Sequence, residues 1–249
     1  MKDGTVASRG REEILLSIVI PAFNERNRLP RTVKEIREWC SRHYPLYEII
    51  IVDDGSTDDT LDIARSYSES HERVYALARP HRGKGAAVRE GMLNAAGKYV
   101  IFMDADGATP LGEIRKLLDK MEAGYHVAIG SRVVEDPKKT TVISSFHRKF
   151  IGRIFAALVN FLAVPGIKDT QCGFKMFRED VTKTLFRLQR CDGFAFDVEI
   201  LFLARKFSMN IAEVPVNWTN RSGSKVSLVA DSFKMLKDIL KIRMMHRDR

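Results

Sequence analysis

Apolar and polar positions alternate in blocks along the 249 residues. Residues 14–23, ILLSIVIPAF, form an apolar, β-branched run that predicts a buried strand. Residues 28–43 follow with Leu29, Val33, Ile36 and Cys40 on one face at helical spacing. The alternation then repeats. A strand is expected over 47–56, a helix opened by Ser56 or Thr57 as N-cap, a strand over 74–80, and a helix over 83–96 stopped by Gly97. A strand over 99–103, a helix over 112–124 and a strand over 126–132 complete the series. Strands and helices in this order predict an α/β fold, a mostly parallel sheet flanked by helices.

After residue 132 the pattern changes. Residues 144–167 predict a long amphipathic helix with Phe150, Ile151, Ile154, Phe155, Leu158, Phe161 and Leu162 on its apolar face. DTQCGFKMF, residues 169–177, reads as a polar loop entering a strand. Residues 193–207 read as a helix with Asp197 and Glu199 near its start. The proline in 210–218 predicts an edge strand, or one that pairs on one side only. A basic amphipathic helix closes the chain over 228–245. With no repeat and no low-complexity linker, the chain reads as one domain. Residues 14–132 form its nucleotide-binding half and 133–249 its acceptor-facing half.

Composition narrows the function classes. No run reaches 18 apolar residues, so no transmembrane helix is expected. The first residues, MKDGTVASRGREE, lack the apolar core of a signal peptide, which predicts a cytoplasmic chain. Cys40, Cys172 and Cys191 are scattered without metal-ligand spacing, arguing against a disulfide framework or a zinc site. The net charge of +9 is localised. Residues 138–153 carry five Lys/Arg and no acid, and residues 225–249 carry seven Lys/Arg against three Asp. Localised positive charge suits an anionic partner, and it equally suits a solvated surface. A nucleic-acid module is the weaker reading, because the basic residues share their segments with apolar faces and no base-stacking platform or DNA-reading motif is present.

Chemistry concentrates at the predicted strand ends. Residues 21–25, Asp53 and Asp54, Asp104 and Asp106, and Ser131 and Arg132 all follow apolar strands. In a parallel sheet these ends share one edge, where ligands bind. Turn polarity alone explains any one of them. Two phosphate-loop motifs fail: GKGAAV has Val88 where a third glycine belongs, and RGKG has no following Ser or Thr. A dehydrogenase and an ATPase are thereby disfavoured. Asp104 and Asp106, one residue apart after a strand, suit a hard cation such as Mg²⁺ or Mn²⁺ that shares a substrate diphosphate.

SIVIPAFNE, IIIVDDGSTDDT, RGKGAAVREG, DADGAT and DTQCGFKMF, in this order, resemble family 2 glycosyltransferases of the GT-A fold. DADGAT, FAFDVE and VNWTNRSGSKV are most similar to the subgroup that glucosylates dolichyl phosphate. That resemblance implies roles for matching positions. Pro21, Phe23 and Glu25 would hold the nucleoside, Asp54 with Asp53 would read the base, and Lys84 would lie near the donor. Asp104 would face the ribose or donor sugar, and Asp106, with Asp104 as a second candidate, would hold the metal. Arg132 and Arg148 would meet the phosphates, including that of the acceptor. It implies UDP-glucose as donor, a polyprenyl phosphate as acceptor, and work at the cytoplasmic face of a membrane.

Two positions depart from the mannosyl-transferring relatives: Ala108 stands where they carry a ligating glutamine, and Gly152 where they often carry a serine. A GDP-mannose donor and a sugar-hydroxyl acceptor stay open as alternatives. A hydroxyl would need a general base, with Asp197 or Glu199 as candidates. Asp197 equally suits a charge that complements a helix N-terminus. Trp218 and the cysteines offer no chemical signal, and Trp218 is read as a packing residue.

Overall fold

The structure is a computed structural model that describes residues 13–134, 142–143, 164–219 and 241–247. Seven strands form one sheet, in the order β3-β2-β1-β4-β7-β5-β8. They are β1 (Leu16–Ala22), β2 (Tyr47–Asp53), β3 (Val74–Ala78), β4 (Tyr99–Met103), β5 (Val127–Ser131), β7 (Phe174–Arg178) and β8 (Ile211–Pro215). The short pair β6 (Val142–Ile143) and β9 (Trp218–Thr219) runs parallel. The helices are α1 (Leu29–His43), α2 (Thr60–Ser70), α3 (Lys84–Asn94), α4 (Glu113–Glu122), α5 (Glu179–Leu188) and α6 (Phe196–Lys206).

β1, β2, β4 and β5 are buried along their whole length, which explains why they read as continuous apolar runs. Successive side chains point to opposite faces. Val19, Val52, Val100 and Phe102 therefore meet Val88, Phe186, Phe196 and Leu201, while Ile18, Ile20, Ile51 and Ile101 meet Leu29, Val33, Ile36 and Leu117. The predicted face of α1 is the buried one, with Pro30 in its first turn, where the missing N–H costs nothing. β8 is the sheet's last strand, as its proline predicts.

Two expectations need correction, and one helix was missed. α2 begins at Thr60, not behind a Ser56 or Thr57 cap. The Asn24 N–H donates to Ser56 Oγ (2.9 Å) and the Thr57 N–H to Asn24 Oδ1 (2.8 Å), so a tie to the loop after β1 replaces local capping. Residues 164–167 form a turn around Gly166 (φ 85°) in place of helix, and residues 144–163 lie outside the described residues. Of the closing helix, residues 241–245 are helical and 228–240 lie outside the description. α5 was not anticipated, although Val181, Thr182, Leu185 and Phe186 recur at helical spacing on its buried face.

β7 decides where the site can form. It is antiparallel to both β4 and β5, registering Met103 against Phe174 and Ile129 against Lys175. Its entering loop, residues 169–173, therefore lies at the carboxyl ends of the parallel strands, on the edge where β1 and β4 deliver their polar endings.

Candidate active site

β4 ends at Met103 and hands Asp104 and Asp106 to a turn that closes through Gly107 (φ 61°). The turn is fastened twice. The Ala108 N–H donates to Asp106 Oδ1 (2.9 Å), and Thr32 Oγ1 of α1 donates to the Ala105 carbonyl (2.7 Å). Asp104 Oδ1 sits 2.6 Å from Lys84 Nζ, at the first residue of α3. Burial opposes the Lys84 charge, but Asp104 and then Asp197 outweigh it and hold the ammonium above its ordinary range. Lys84 thus works as a permanent cation between two carboxylates.

Below it lies a second pair. Lys175 is fully buried, with Nζ 2.5 Å from Asp197 Oδ1 and 2.6 Å from the Cys172 carbonyl, over the Phe102 ring at 5.3 Å. Burial lifts the Asp197 carboxyl above the usual range, while Lys175 and Lys84 draw it back. Lys175, Asp197, Lys84 and Asp104 form a chain of alternating charge from the core to the cleft. The structure rules out Glu199 as a base. It is fully buried, accepts the N–H groups of Arg190 (2.9 Å) and Cys191 (2.8 Å), and lies 2.7 Å from His246 Nε2. Its work is to fold the 190–193 loop.

At the ends of β1 and β2 the expected donor residues come together, with most of their polar atoms engaged and Asp53 Oδ1 buried without a partner among the described residues. Pro21 pairs with Val52 in the sheet. Phe23 stacks on His81, with ring centroids 4.2 Å apart. Asp53 Oδ2 accepts the N–H groups of Gly55 and Ser56, both at 3.1 Å. The Asp54 carboxylate accepts those of Arg82 (3.1 Å) and Gly83 (2.8 Å) and lies 2.8 Å from His81 Nδ1. Glu25 forms a two-pronged pair with Arg28 at 2.5 and 2.6 Å. Asp54 therefore fixes the turn that leads into Lys84. His81 gave no sign in the sequence, because its role depends on a stack between distant loops.

Arg132 stands just past β5. Asp169 accepts from its backbone N–H (2.9 Å), Nε (2.8 Å) and a terminal guanidinium nitrogen (2.8 Å). Burial works to raise the Asp169 carboxyl, but the Arg132 charge outweighs it and holds the group below the usual carboxylate range. The Arg132 guanidinium lies 5.5 Å from the centre of the Trp218 ring. Trp218, read from the sequence as packing, instead lines a narrow cleft with Asp104, Asp106, Thr109, Gly173 and Phe174. Arg148 lies outside the described residues.

No group of three His, Cys, Asp or Glu side chains that could enclose a metal occurs among the described residues. The donor set fits a hard divalent cation that completes its shell from a substrate diphosphate and water. Since Lys84 already neutralises Asp104, Asp106 is the better ligand of the two, and Ala108 has no atom to add.

Residues 17–186 match the model of the glycosyl transferase family 2. The dolichyl-phosphate beta-glucosyltransferase of Dictyostelium discoideum is 40% identical over 245 residues, covering 93% of this chain and 75% of that protein. The corresponding Saccharomyces cerevisiae protein is 38% identical over 251 residues, covering 94% and 75%. Among solved structures, glucosyl-3-phosphoglycerate synthase from Mycobacterium tuberculosis, crystallised with Mn²⁺ and UDP-glucose, shares the fold with a TM-score of 0.63 at 18% identity, over 92% of this chain and 78% of that one. Family model, relatives and fold agree, and the chain is a glycosyltransferase that belongs to glycosyl transferase family 2, among the dolichyl-phosphate β-glucosyltransferases.

Proposed function

We propose that the protein transfers glucose from UDP-glucose to a polyprenyl phosphate such as dolichyl phosphate, in one inverting displacement that uses Mg²⁺ or Mn²⁺. The observation that carries this is the arrangement of charge around the cleft. Asp104 and Asp106 line the cleft, Lys84 pairs with Asp104, Arg132 lies over the ring of Trp218, which also lines it, and both candidate general bases are buried and engaged. A sugar-hydroxyl acceptor would need a base at the surface of the cleft. A phosphate monoester, with a second pKa of about 6, arrives already ionised and needs none.

In the displacement an acceptor phosphate oxygen bonds to the anomeric carbon as the bond from that carbon to the diphosphate oxygen breaks. UDP leaves with the electron pair. When bound at Asp106, the divalent cation supplies Lewis-acid neutralisation of the departing diphosphate. Lys84 keeps Asp104 in place and adds a fixed positive charge to the same wall. Arg132 meets the acceptor phosphate, since a planar fork suits two phosphate oxygens. The fold's glucosyl-transferring neighbour with UDP-glucose and the dolichyl-phosphate relatives support donor and acceptor respectively.

A panel of nucleotide sugars tested with a short polyprenyl phosphate checks this reading, with lipid-linked product as the readout. UDP-glucose is the expected donor, and calorimetry should show UDP binding at least about tenfold tighter than GDP, the difference that about 1.4 kcal/mol of base recognition makes. A clear preference for GDP would move the reading to mannosyl transfer.

The enzyme works as a peripheral protein at the cytoplasmic face of a membrane, on the support of the basic and apolar pattern of residues 144–163 and 228–245 in the sequence. No helix among the described residues is long and apolar enough to cross a bilayer. In liposome flotation the protein should rise with anionic vesicles at low salt and fall away as salt increases. Equal flotation with neutral lipid at high salt would sink the electrostatic part of this proposal.

A further inference from the structure

We infer that Trp218 and Asp169 are positioning residues that hold the Arg132 guanidinium as a pre-set fork for the acceptor phosphate. Together they set acceptor affinity and leave donor binding alone. The inference deepens the proposed function and rests on its assignment of the acceptor.

Arg132 follows β5 at the rim of the cleft, with a side chain that is 31% exposed, whereas Asp169 is 5% exposed. Two of the guanidinium's nitrogens, Nε and one terminal nitrogen, bond to the two Asp169 oxygens. That takes one edge of the planar fork. Asp169 cannot easily follow a moving arginine, because its own N–H donates to Glu213 Oε1 (2.8 Å) and its carboxylate also accepts the Gln171 N–H. The guanidinium carbon also lies over the Trp218 ring, 5.5 Å from its centre. An arginine gripped along one edge and held against an indole has lost the rotamer freedom that phosphate binding would otherwise have to freeze. The outer edge of the guanidinium, made by the nitrogen that Asp169 does not take and the second N–H of the one it does, is left to reach for an oxyanion.

Trp218 is itself fixed to the opposite wall. Its neighbour Thr219 donates its N–H to the Ala108 carbonyl (3.0 Å), inside the turn that carries Asp106. Asn217 Nδ2 donates to Glu113 Oε1 (2.7 Å) at the start of α4, and the Val216 N–H donates to the Ser131 carbonyl (3.1 Å) beside Arg132. Residues 216–219 therefore bridge the metal-side turn and the phosphate-side arginine. A packing residue would need bulk at this position, whereas a positioning residue needs an aromatic face over a cation.

The distinction can be measured with Trp218→Phe and Trp218→Leu in the full chain, using UDP-glucose and a short polyprenyl phosphate. Trp218→Leu should raise the acceptor KM about tenfold, the size of one well-desolvated cation–π contact. The donor KM and the calorimetric affinity for UDP should stay within about twofold, and Trp218→Phe should recover most of the loss. An unchanged acceptor KM in Trp218→Leu, an equal rise in both KM values, or a Phe variant as impaired as Leu would overturn the inference. Should Trp218→Leu fail to fold, Arg132→Lys serves instead. It keeps the charge but cannot be gripped as a fork, so it should show the same selective rise, and a normal acceptor KM there would overturn the inference too. Wild-type protein that ignores polyprenyl phosphate while using another acceptor would refute the functional reading and this inference with it. Wild-type use of the lipid with an indifferent Trp218→Leu refutes this inference alone.

Discussion

Asp106→Asn is expected to lower the transfer rate by on the order of 10²–10³-fold, the usual loss when one preorganised electrostatic group is removed from a transition state. The chain should stay folded. The reasoning begins with the competition for the two carboxylates. Asp104 gives an oxygen to Lys84 at 2.6 Å and is largely neutralised there, whereas the Asp106 contact is a neutral backbone N–H within its own turn. Asparagine can still accept that N–H, so the turn should survive the substitution. What disappears is the negative charge that a divalent cation requires. Two measurements separate the charge effect from misfolding. Thermal unfolding should be nearly unchanged, and the Mn²⁺-dependent gain in UDP affinity should vanish in the variant while metal-free UDP binding persists. A chelated wild type that still turns over at full rate, or an Asp106→Asn variant of normal activity, would show that the cation has been given a role it does not have.

Much of this site was legible before any coordinates. A strand buried on both faces must read as an apolar run, so β1, β2, β4 and β5 announced themselves, and their polar endings followed. In a parallel sheet those endings have to share one edge. Asp104 and Asp106 line one cleft, Lys84 pairs with Asp104, and Arg132 lies against Trp218, which lines the same cleft. What sequence could not show was which group answers which. The partner of Arg132 is 37 residues away in a loop brought in by an antiparallel strand, and nothing in the periodicity of FKMFR announces that direction. Lys175 shows the same limit. A lysine in a strand reads as solvent-facing, and only the buried Asp197 beside Cys172 makes its full burial tolerable. Glu199 failed as a base for a related reason: its position near a helix start was visible, but its engagement by His246 from the end of the chain was not.

Gly173→Ala should lower kcat/KM about a hundredfold, the cost of moving a reacting group by roughly 1 Å, and leave the fold nearly as stable. Gly173 is not in the left-handed region, so its backbone would accept alanine without strain. The obstacle is space. A Cβ at this position would fall 2.6 Å from Asp104 Cγ and 2.7 Å from Oδ1, and closer still to Oδ2. Such contacts cannot be kept, so the carboxylate must swing away. Asp104 is 40% exposed at its side chain, which gives it solvent to swing into, and this is why stability should change little. The movement parts Asp104 from Lys84 and leaves the ammonium facing Asp197 alone, displacing both charges on that wall of the cleft. Gly112→Ala is the matched control, since a Cβ there meets nothing within 4 Å. The loss should appear in kcat more than in the acceptor KM, because Arg132 is held independently by Asp169. If Gly173→Ala transfers glucose at the wild-type rate, the close approach of Asp104 to the loop before β7 has no part in the chemistry, and the Lys84–Asp104 contact with it.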